Sequence, residues 1–146
     1  MNFTVATSIK YGDYKHLKPS TERIHGLIKD HWRSLCRCFD FDRNVTFHIR
    51  PIRGRTRGIA HNTENKIEID PRLTLRKILE TIVHELVHME QYKQGRLKDD
   101  LQRNKIYWYS FEFEPSKTFR EYFSEPWEIE ARKRSAEYVD RVWPIK

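Results

Sequence analysis

Residues 84–88 read His-Glu-Leu-Val-His, and this short stretch indicates both a helix and a chemistry. Side chains four residues apart lie one turn apart on the same face of an α-helix. His84 and His88 can therefore each present an imidazole nitrogen to one zinc ion at about 2 Å. Glu85 lies at the edge of that face, where it can take a proton from a water molecule without being a ligand. The stretch predicts Zn²⁺ as cofactor, the two histidines as ligands and Glu85 as general base.

Apolar residues around the motif predict the helix that carries it. The residues at helical spacing are Leu75, Ile78, Leu79, Ile82, Val83, Leu86 and Met89. They form one apolar stripe, centred almost opposite the two histidines on a helical wheel. We expect a helix that begins near Thr74, ends at Gly95, buries the stripe and turns both histidines towards a cleft. A surface helix with two solvated histidines is the alternative.

The rest of the chain predicts a small sheet and two further helices. Alternation at 44–52 indicates a half-buried strand, and 58–61 and 66–70 indicate two short strands joined by a turn. A helix capped by Ser20 should cover the back of the sheet, and a last helix should run from about 124–126 to 143. We therefore expect one α+β domain over residues 1–146, with a small mixed or antiparallel sheet, an N-terminal backing helix, the motif helix and a C-terminal helix.

Aromatic and polar residues alternate between Ile106 and Glu114, after an expected polar loop at 98–104. The aromatic members of one parity are Tyr107, Tyr109, Phe111 and Phe113. This alternation predicts a strand or an extended flap with one aromatic face. Packing against the core is the expected role of that face, and contact with a substrate is the alternative.

Positive charge is the main feature of the composition. The chain has 28 Lys and Arg residues against 21 Asp and Glu residues, which gives a formal net charge of +7. Arg53, Arg55 and Arg57 crowd one short turn. A solvated, self-repelling surface is the simpler interpretation of this charge. Contact of the three arginines with nucleic acid or another polyanion is the sharper one.

The cysteines and the absence of long apolar runs predict a cytoplasmic protein. Cys36 and Cys38 fit neither a zinc knuckle nor a disulfide framework, so we expect free thiols in a reducing compartment. The sequence contains no run of membrane-spanning length and no signal segment, so no membrane partner is expected. The expected location is the cytoplasm of a cell, or the host cytoplasm or particle of a virus.

A catalytic zinc site usually has three protein ligands and one open position, so a third ligand is needed. All seven histidines lie at or before His88, which leaves carboxylates as the downstream candidates. Glu128 and Glu130 lie about 200° apart on a helix, so only one can face the metal. Glu128 is preferred because it shares a broad side with small Ala131, which would let two helices approach closely. The remaining candidates are Glu130, Glu121, Glu125, Asp99 and Asp100.

The motif at 84–88, followed about forty residues later by Glu128-Ile-Glu-Ala131, resembles the gluzincin branch of the zincin-like metallopeptidases. In that branch a glutamate from a second helix completes a His-His-Glu site, and the resemblance implies this role for Glu128. With Tyr122 and Pro126-Trp127, the string is also similar to small metallopeptidases of tailed bacteriophages. The implied fold is zincin-like, and the implied activity is zinc-dependent hydrolysis of peptide bonds.

The resemblance also implies how a substrate would bind. In zincins a hairpin precedes the motif helix, and its outer strand, here 58–61, pairs with an extended peptide or protein segment through main-chain hydrogen bonds. Small residues at Gly58 and Ala60 would allow a close approach. The oxyanion formed at the scissile carbonyl needs a further hydrogen-bond donor. The candidates for this donor are His61, Tyr107, Tyr109 and Tyr122.

Two other functions remain compatible with the sequence. The first is a non-catalytic protein on the same scaffold, in which zinc stabilises a phage structural component or a nucleic-acid-binding protein. The second combines both ideas: a peptidase that its positive charge directs to DNA-bound proteins.

Overall fold

The computed structural model describes residues 3–7 and 18–143, with side chains at 3–6 and 21–143. Helices and strands are mixed along the chain, so the α+β class predicted from the sequence is confirmed. The elements in chain order are β1 (Thr4–Thr7), α1 (Lys18–Cys38), β2 (Thr46–Ile49), β3 (Gly58–His61), β4 (Lys66–Ile69), α2 (Leu75–Lys93), β5 (Leu97–Asp100), β6 (Lys105–Trp108), β7 (Phe111–Phe113), α3 (Phe119–Phe123) and α4 (Pro126–Val142). Among the described helices, none combines the length and the apolar character needed to cross a bilayer.

The first sheet is mixed and has the strand order β1-β2-β4-β3. Strands β1, β2 and β4 run parallel, whereas β3 pairs antiparallel with β4 and forms an edge of the sheet. Phe47 of β2 lies beside Ile67 of β4, and both side chains are fully buried. The predicted strand at 44–52 is shorter than expected, because pairing ends at Ile49, two residues before Pro51.

Helix α1 covers this sheet, as the apolar spacing predicts. Its residues Ile24, Ile28 and Leu35 are fully buried, and the Trp32 ring lies 6.3 Å from the Phe47 ring. The prediction of Ser20 as N-cap is wrong, since the helix already begins at Lys18. Side-chain capping gave a plausible start, but the backbone continues the helix two residues further towards the N-terminus.

Helix α2 carries the motif and lies at the centre of the fold. It begins after Thr74, whose hydroxyl accepts a hydrogen bond from the Lys77 amide at 3.2 Å, and it ends at Lys93, before Gly95 with φ +73°. The predicted stripe is buried from Ile78 to Met89, and Leu75 is partly buried. The histidine side of α2 is also covered, because α4 packs along it with Ala131 fully buried. Both faces of the motif helix are therefore shielded from bulk solvent.

The second sheet is an antiparallel meander with the order β5-β6-β7. It corrects two expectations, because residues 97–100 form a strand rather than part of a polar loop, and the aromatic stretch forms a hairpin rather than one strand. Tyr109 has φ 59° and begins the tight turn between β6 and β7. Because the chain reverses there, Tyr107 before the turn and Phe111 after it lie on opposite faces of the hairpin, although they share one parity.

The register of this hairpin shows which aromatic residues share a face. Trp108 lies opposite Phe111, and Tyr107 lies opposite Glu112, whose carboxylate accepts a hydrogen bond from the Tyr107 hydroxyl at 3.3 Å. Tyr109 and Phe111 are 57% and 71% exposed, so the expected packing of this parity against the core is wrong. The hairpin instead contacts α4 through the rings of Trp108 and Phe113, at 6.1 and 5.3 Å from Trp127.

Gly58 allows strand β3 to lie directly on helix α2. A Cβ atom at this position would lie 2.6 Å from Thr81 Cγ2 and 3.0 Å from Glu85 Cγ. The Thr81 hydroxyl donates a hydrogen bond to Lys77 O at 2.8 Å, so this side chain has little freedom to move away. The absence of a side chain at Gly58 therefore makes room for the helix that carries Glu85.

Candidate metal centre

The two motif histidines and Glu128 meet between helices α2 and α4. One carboxylate oxygen of Glu128 lies 2.9 Å from His84 Nε2, and the other lies 2.8 Å from His88 Nε2. Glu128 and His88 are buried, whereas the His84 side chain is 20% exposed. Helices α2 and α4 thus place one ring nitrogen of each histidine against the same carboxylate.

Gln91 determines how His88 presents its ring. The Gln91 side-chain amide donates to Trp127 O at 3.1 Å and to Glu130 Oε1 at 3.0 Å, which uses both of its hydrogens. Its oxygen is therefore the atom that faces His88 Nδ1, at 2.8 Å, and it must accept a hydrogen bond from that nitrogen. In the neutral imidazole the proton consequently lies on Nδ1. Nε2, the nitrogen that faces Glu128, keeps its lone pair free for a metal ion.

Glu130 points away from the histidines and belongs to a network of charges. Besides Gln91, it accepts two hydrogen bonds from Arg96, at 2.9 and 2.8 Å. Arg96 also contacts Glu90 at 3.1 Å, and Glu90 in turn pairs with Arg134. This arrangement agrees with the angular argument that only one of the two glutamates of α4 can face the histidines.

The other carboxylates considered as third ligand have different partners. Glu121 belongs to the capping box of α3. Glu125 accepts a hydrogen bond from Ser116 at 2.8 Å, and Asp99 accepts one from Tyr92 at 2.9 Å. Asp100 accepts one from the Arg103 amide at 3.2 Å. Of the candidates named from the sequence, Glu128 is the one that contacts both histidines.

Glu85 completes the cluster from the same helix. It is buried, and His84, Glu85 and His88 each offer a ligand atom within 4.8 Å of the others. Burial raises the pKa of the Glu85 carboxyl, an effect that the neighbouring His88 and His84 only partly oppose. A carboxylate with a raised pKa, next to a possible metal position, suits a proton acceptor better than it suits a permanent anion.

The charges of His88 and Glu128 stabilise each other. Burial alone would lower the pKa of His88, but contact with Glu128 and the charge of Glu85 outweigh it and raise this pKa to about 9. Burial would likewise raise the pKa of Glu128, yet hydrogen bonds with His84 and His88 hold this pKa well below its usual range. The carboxylate therefore stays ionised, which is the form that binds a cation.

The donor set fits a zinc ion. Two imidazole nitrogens and one carboxylate oxygen are ligands that zinc takes in catalytic sites, with a fourth position left open. Ligand atoms around one tetrahedral zinc ion lie about 3.3 Å apart, and the contacts of 2.8 and 2.9 Å approach that separation. His84, His88 and Glu128 are the residues that would hold the ion.

A cleft runs past this cluster and widens on both sides of Glu85. One cavity, of about 450 Å³, is lined by Arg55, Lys117 and Arg132 together with His84 and Glu85. The other cavity, of about 630 Å³, is lined by residues of β3, β5 and β6 together with Glu85 and His88. Gly58, Tyr122 and Glu128 line both cavities, so the two spaces meet at the cluster.

Only some of the substrate-binding residues predicted from the sequence lie at the cleft. Gly58 and Tyr122 line both cavities, and Ala60 lines the larger one. Burial and the nearby Glu128 carboxylate raise the pKa of Tyr122, so its hydroxyl keeps its proton and can donate a hydrogen bond. Tyr122 is therefore the candidate oxyanion donor that the fold places next to the histidine cluster.

Three other candidates lie elsewhere. Tyr107 and Tyr109 belong to the exposed β6–β7 hairpin and line neither cavity, because the chain reversal at Tyr109 directs this segment outward. His61 lies at the end of β3, where its Nε2 is 3.3 Å from Glu68. The structure thus gives no support to these three residues as oxyanion donors.

The basic turn is less free than the sequence suggests. Arg57 donates to Ile52 O and Gly54 O and lies 3.7 Å from the buried Asp70. Arg55 is exposed and lies over the Phe119 ring at 4.9 Å, and Arg53 is exposed and lines the larger cavity. Only part of the predicted polyanion-binding trio is therefore available to a partner. Cys36 and Cys38 are free, as expected.

The role of Gln91 was not predicted from the sequence. Its spacing from His88, three residues on the same helix face, is the signal that could have indicated a hydrogen bond. The contacts of Arg96 with Glu130 and of Arg134 with Glu90 carry no such local signal, because these partners lie far apart along the chain.

Comparisons with protein families, with curated proteins and with solved structures find no match to this chain.

Proposed function

We propose that this chain is a zinc-dependent peptidase with a zincin-like arrangement of its site. The observation that carries this proposal is the contact of the two Glu128 oxygens with Nε2 of His84 and of His88, at 2.9 and 2.8 Å. Two imidazole nitrogens and one carboxylate converge there from two helices, beside buried Glu85 and within an open cleft. A purely structural zinc site normally has four protein ligands. This cluster offers three, which would leave one coordination position open.

The chain's own groups divide the chemistry among them. His84, His88 and Glu128 would hold the zinc ion, and Gln91 fixes the ring of His88 for this purpose. The ion, when bound, supplies Lewis-acid polarisation of the scissile carbonyl and of the attacking water. Glu85 takes the proton from that water and passes it to the leaving amine, which is general base and then general acid catalysis. Tyr122 donates a hydrogen bond to the oxyanion.

Edge strand β3 offers the substrate its main-chain hydrogen bonds. β4 occupies one side of β3, and the side with Gly58 and Ala60 faces the cavities that meet at Glu85. An extended peptide added to this edge would lie across the cluster with its backbone fixed and its side chains directed alternately into the cleft.

Metal analysis and a substitution of Glu85 test the proposal together. Wild-type protein and Glu85→Gln should both bind one zinc ion per chain, whereas His84→Ala should bind it weakly. Cleavage of a peptide library by Glu85→Gln should fall by about 10²–10⁴-fold in kcat, because general acid–base catalysis contributes a factor of this size.

Glu137→Gln is the matched control, because Glu137 is an exposed glutamate of α4 that lines neither cavity of the cleft. It should leave zinc content and turnover unchanged. Equal cleavage by Glu85→Gln and wild-type protein would remove the proposed mechanism. Stoichiometric zinc without cleavage of any peptide by the wild-type protein would instead favour a metal that stabilises a binding or structural protein.

A further inference from the structure

The two cavities that meet at Glu85 differ in how their charges are matched. In the larger cavity, each of four charged groups has a partner. These pairs are Lys105 with Glu114, Asp99 with Tyr92, Asp100 with Arg103 and Glu125 with Ser116. Two of these partners, Tyr92 and Ser116, are neutral, so this side of the cleft keeps the negative charges of Asp99 and Glu125. Among the described residues, exposed Arg53 is its one arginine or lysine without an ion pair.

The smaller cavity presents unmatched positive charge. Arg55, Lys117 and Arg132 line it, and within residues 18–143 none of their side chains has an ion pair or a hydrogen bond. Two further charged side chains of this cavity have ion-pair partners, since Arg57 lies 3.7 Å from Asp70 and Glu80 lies 3.6 Å from Lys77. The carboxyl groups of Glu85 and Glu128 line the same cavity at its histidine end. We call Arg55, Lys117 and Arg132, with the aromatic residues Phe119 and Phe123, the basic mouth.

Aromatic rings hold the two arginines of the basic mouth in place. The Arg132 guanidinium lies 3.5 Å from the centroid of the Phe123 ring, and Arg55 lies 4.9 Å from that of Phe119. Stacking uses the flat face of a guanidinium and leaves its N–H edge free for a planar carboxylate. Because the groups are already ordered, binding an anion there loses less conformational freedom than binding it to mobile side chains.

From this geometry we propose that the protein acts on polypeptide segments that carry an aspartate or glutamate on one side of the scissile bond, with that carboxylate bound in the basic mouth. This inference rests on the proposed peptidase function. The peptide is favoured over nucleic acid because the free cations line the same cavity as His84 and Glu85. An anionic side chain of a bound peptide would meet them while its backbone lies at the reacting centre.

Peptide binding to Glu85→Gln, measured by fluorescence anisotropy, separates recognition from cleavage. The probes are labelled extended peptides that differ only by Glu, Gln or Lys at one position, scanned along the peptide. We expect one position where Glu binds about tenfold more tightly than Gln, as a charge-assisted hydrogen bond predicts. Higher salt should reduce this preference, because part of the attraction is screened.

Substitutions in the mouth test where the preference arises, each made in the Glu85→Gln background. Arg55→Gln with Arg132→Gln should reduce the ratio of Glu to Gln affinity to less than twofold. Arg55→Glu with Arg132→Glu should reverse the preference in favour of Lys. Arg33→Gln with Arg120→Gln removes the same charge from exposed positions outside both cavities and should leave the ratio unchanged.

Several results would overturn the inference. Equal binding of Glu and Gln peptides at every position would do so, as would an unchanged ratio in the Arg55 and Arg132 variants. A single-stranded oligonucleotide that displaces the acidic peptide and depends on the same arginines would assign the mouth to nucleic acid. Wild-type cleavage without any charge preference would refute this inference alone. Acid-selective binding without cleavage would retain the basic mouth as a site for carboxylates but refute the peptidase function.

Discussion

The α2–α4 interface and the basic mouth lie side by side along one cleft, but they differ in whether their polar side chains are buried and have partners. At the interface, Glu128, His88 and Gln91 are buried, and each makes the hydrogen bonds described above. At the mouth, Arg55 and Lys117 are exposed, and within the part of the chain that the structure describes neither side chain forms an ion pair. A buried polar group without a partner is destabilising, whereas an exposed one remains hydrated at little cost.

For the proposed peptidase, this difference gives the two regions different tasks. Chemistry that needs fixed protonation states and distances belongs at the interface, where each substitution leaves a partner unsatisfied. Selection among substrates belongs at the mouth, where charges can change without unfolding the protein. Substitutions at the interface should therefore affect metal binding or stability, and those at the mouth should affect only the choice of ligand.

The largest effect should come from replacing the two glutamates of α4 in turn. Zinc binding free energies of about 10–16 kcal/mol, shared by four ligands, correspond to about 2.5–4 kcal/mol for each ligand. Glu128→Ala should therefore weaken zinc binding by about 100- to 1,000-fold, as measured by competition with a chromophoric chelator. Glu130→Ala should weaken it by less than tenfold, because Glu130 acts only through Gln91. A larger loss in Glu130→Ala than in Glu128→Ala would reverse the assignment of the third ligand.

Gln91→Ala should have an intermediate effect on the metal. It removes the acceptor that holds the proton on His88 Nδ1, and loss of such an orienting partner typically costs 10–100-fold in metal affinity. Long-range ¹H–¹⁵N spectra of the metal-free protein above pH 10 should show a mixture of His88 tautomers in the variant. Gln94→Ala, at the exposed end of the same helix, is the control. An unchanged tautomer ratio in Gln91→Ala would contradict the proposed orientation.

The smallest of these effects concerns Asp70, which anchors the turn next to the mouth. Its buried carboxylate accepts hydrogen bonds from the Ile52 amide at 2.9 Å and from Arg72 at 2.7 Å. Burial would raise the pKa of Asp70, but these hydrogen bonds and the Arg72 charge lower it on balance. Because Arg72 is itself partly exposed, we expect Asp70→Asn to reduce the free energy of unfolding by only about 1.5 kcal/mol at pH 7.

The pH dependence of this effect follows from the direction of the shift. A carboxyl whose pKa is lowered by folding stabilises the protein above its unfolded pKa of about 3.9 and loses this contribution as the pH falls through the folded value. Urea unfolding should therefore show the full difference between Asp70→Asn and wild type at pH 7 and a shrinking difference below pH 4. Asp140→Asn, which removes an exposed partner of Arg76, should change stability less. A difference that grows towards low pH would contradict the assignment.

Local pattern was sufficient for the elements that build the site. The stripe from Ile78 to Met89 predicted helix α2, and the wheel angle between Glu128 and Glu130 predicted that only one of them can face the histidines. Both predictions depend on helical geometry alone, which every residue of a helix obeys. The hairpin of β3 and β4 could also be predicted from the sequence, because its turn is rich in polar residues. In the structure, Asn65 of this turn has φ 49°.

Features that depend on distant contacts or on an unusual turn could not be predicted from the sequence. Tyr109 adopts φ 59° without being glycine or asparagine, so nothing in the sequence indicated that the aromatic alternation would reverse there. The basic mouth joins Arg55, Lys117 and Arg132 from three separate segments. Its charges became significant only when the structure showed that Arg57, beside Arg55, is held by main-chain oxygens and lies near Asp70.

The contact at position 58 sets a limit on how this protein could be redesigned. Since the backbone of Gly58 rests against the stem of Glu85, the edge strand and the proposed proton acceptor are in direct contact there. Any side chain introduced there to reshape the strand would push on that acceptor as well. Engineering of new selectivity should therefore begin at the rim, with position 58 left untouched.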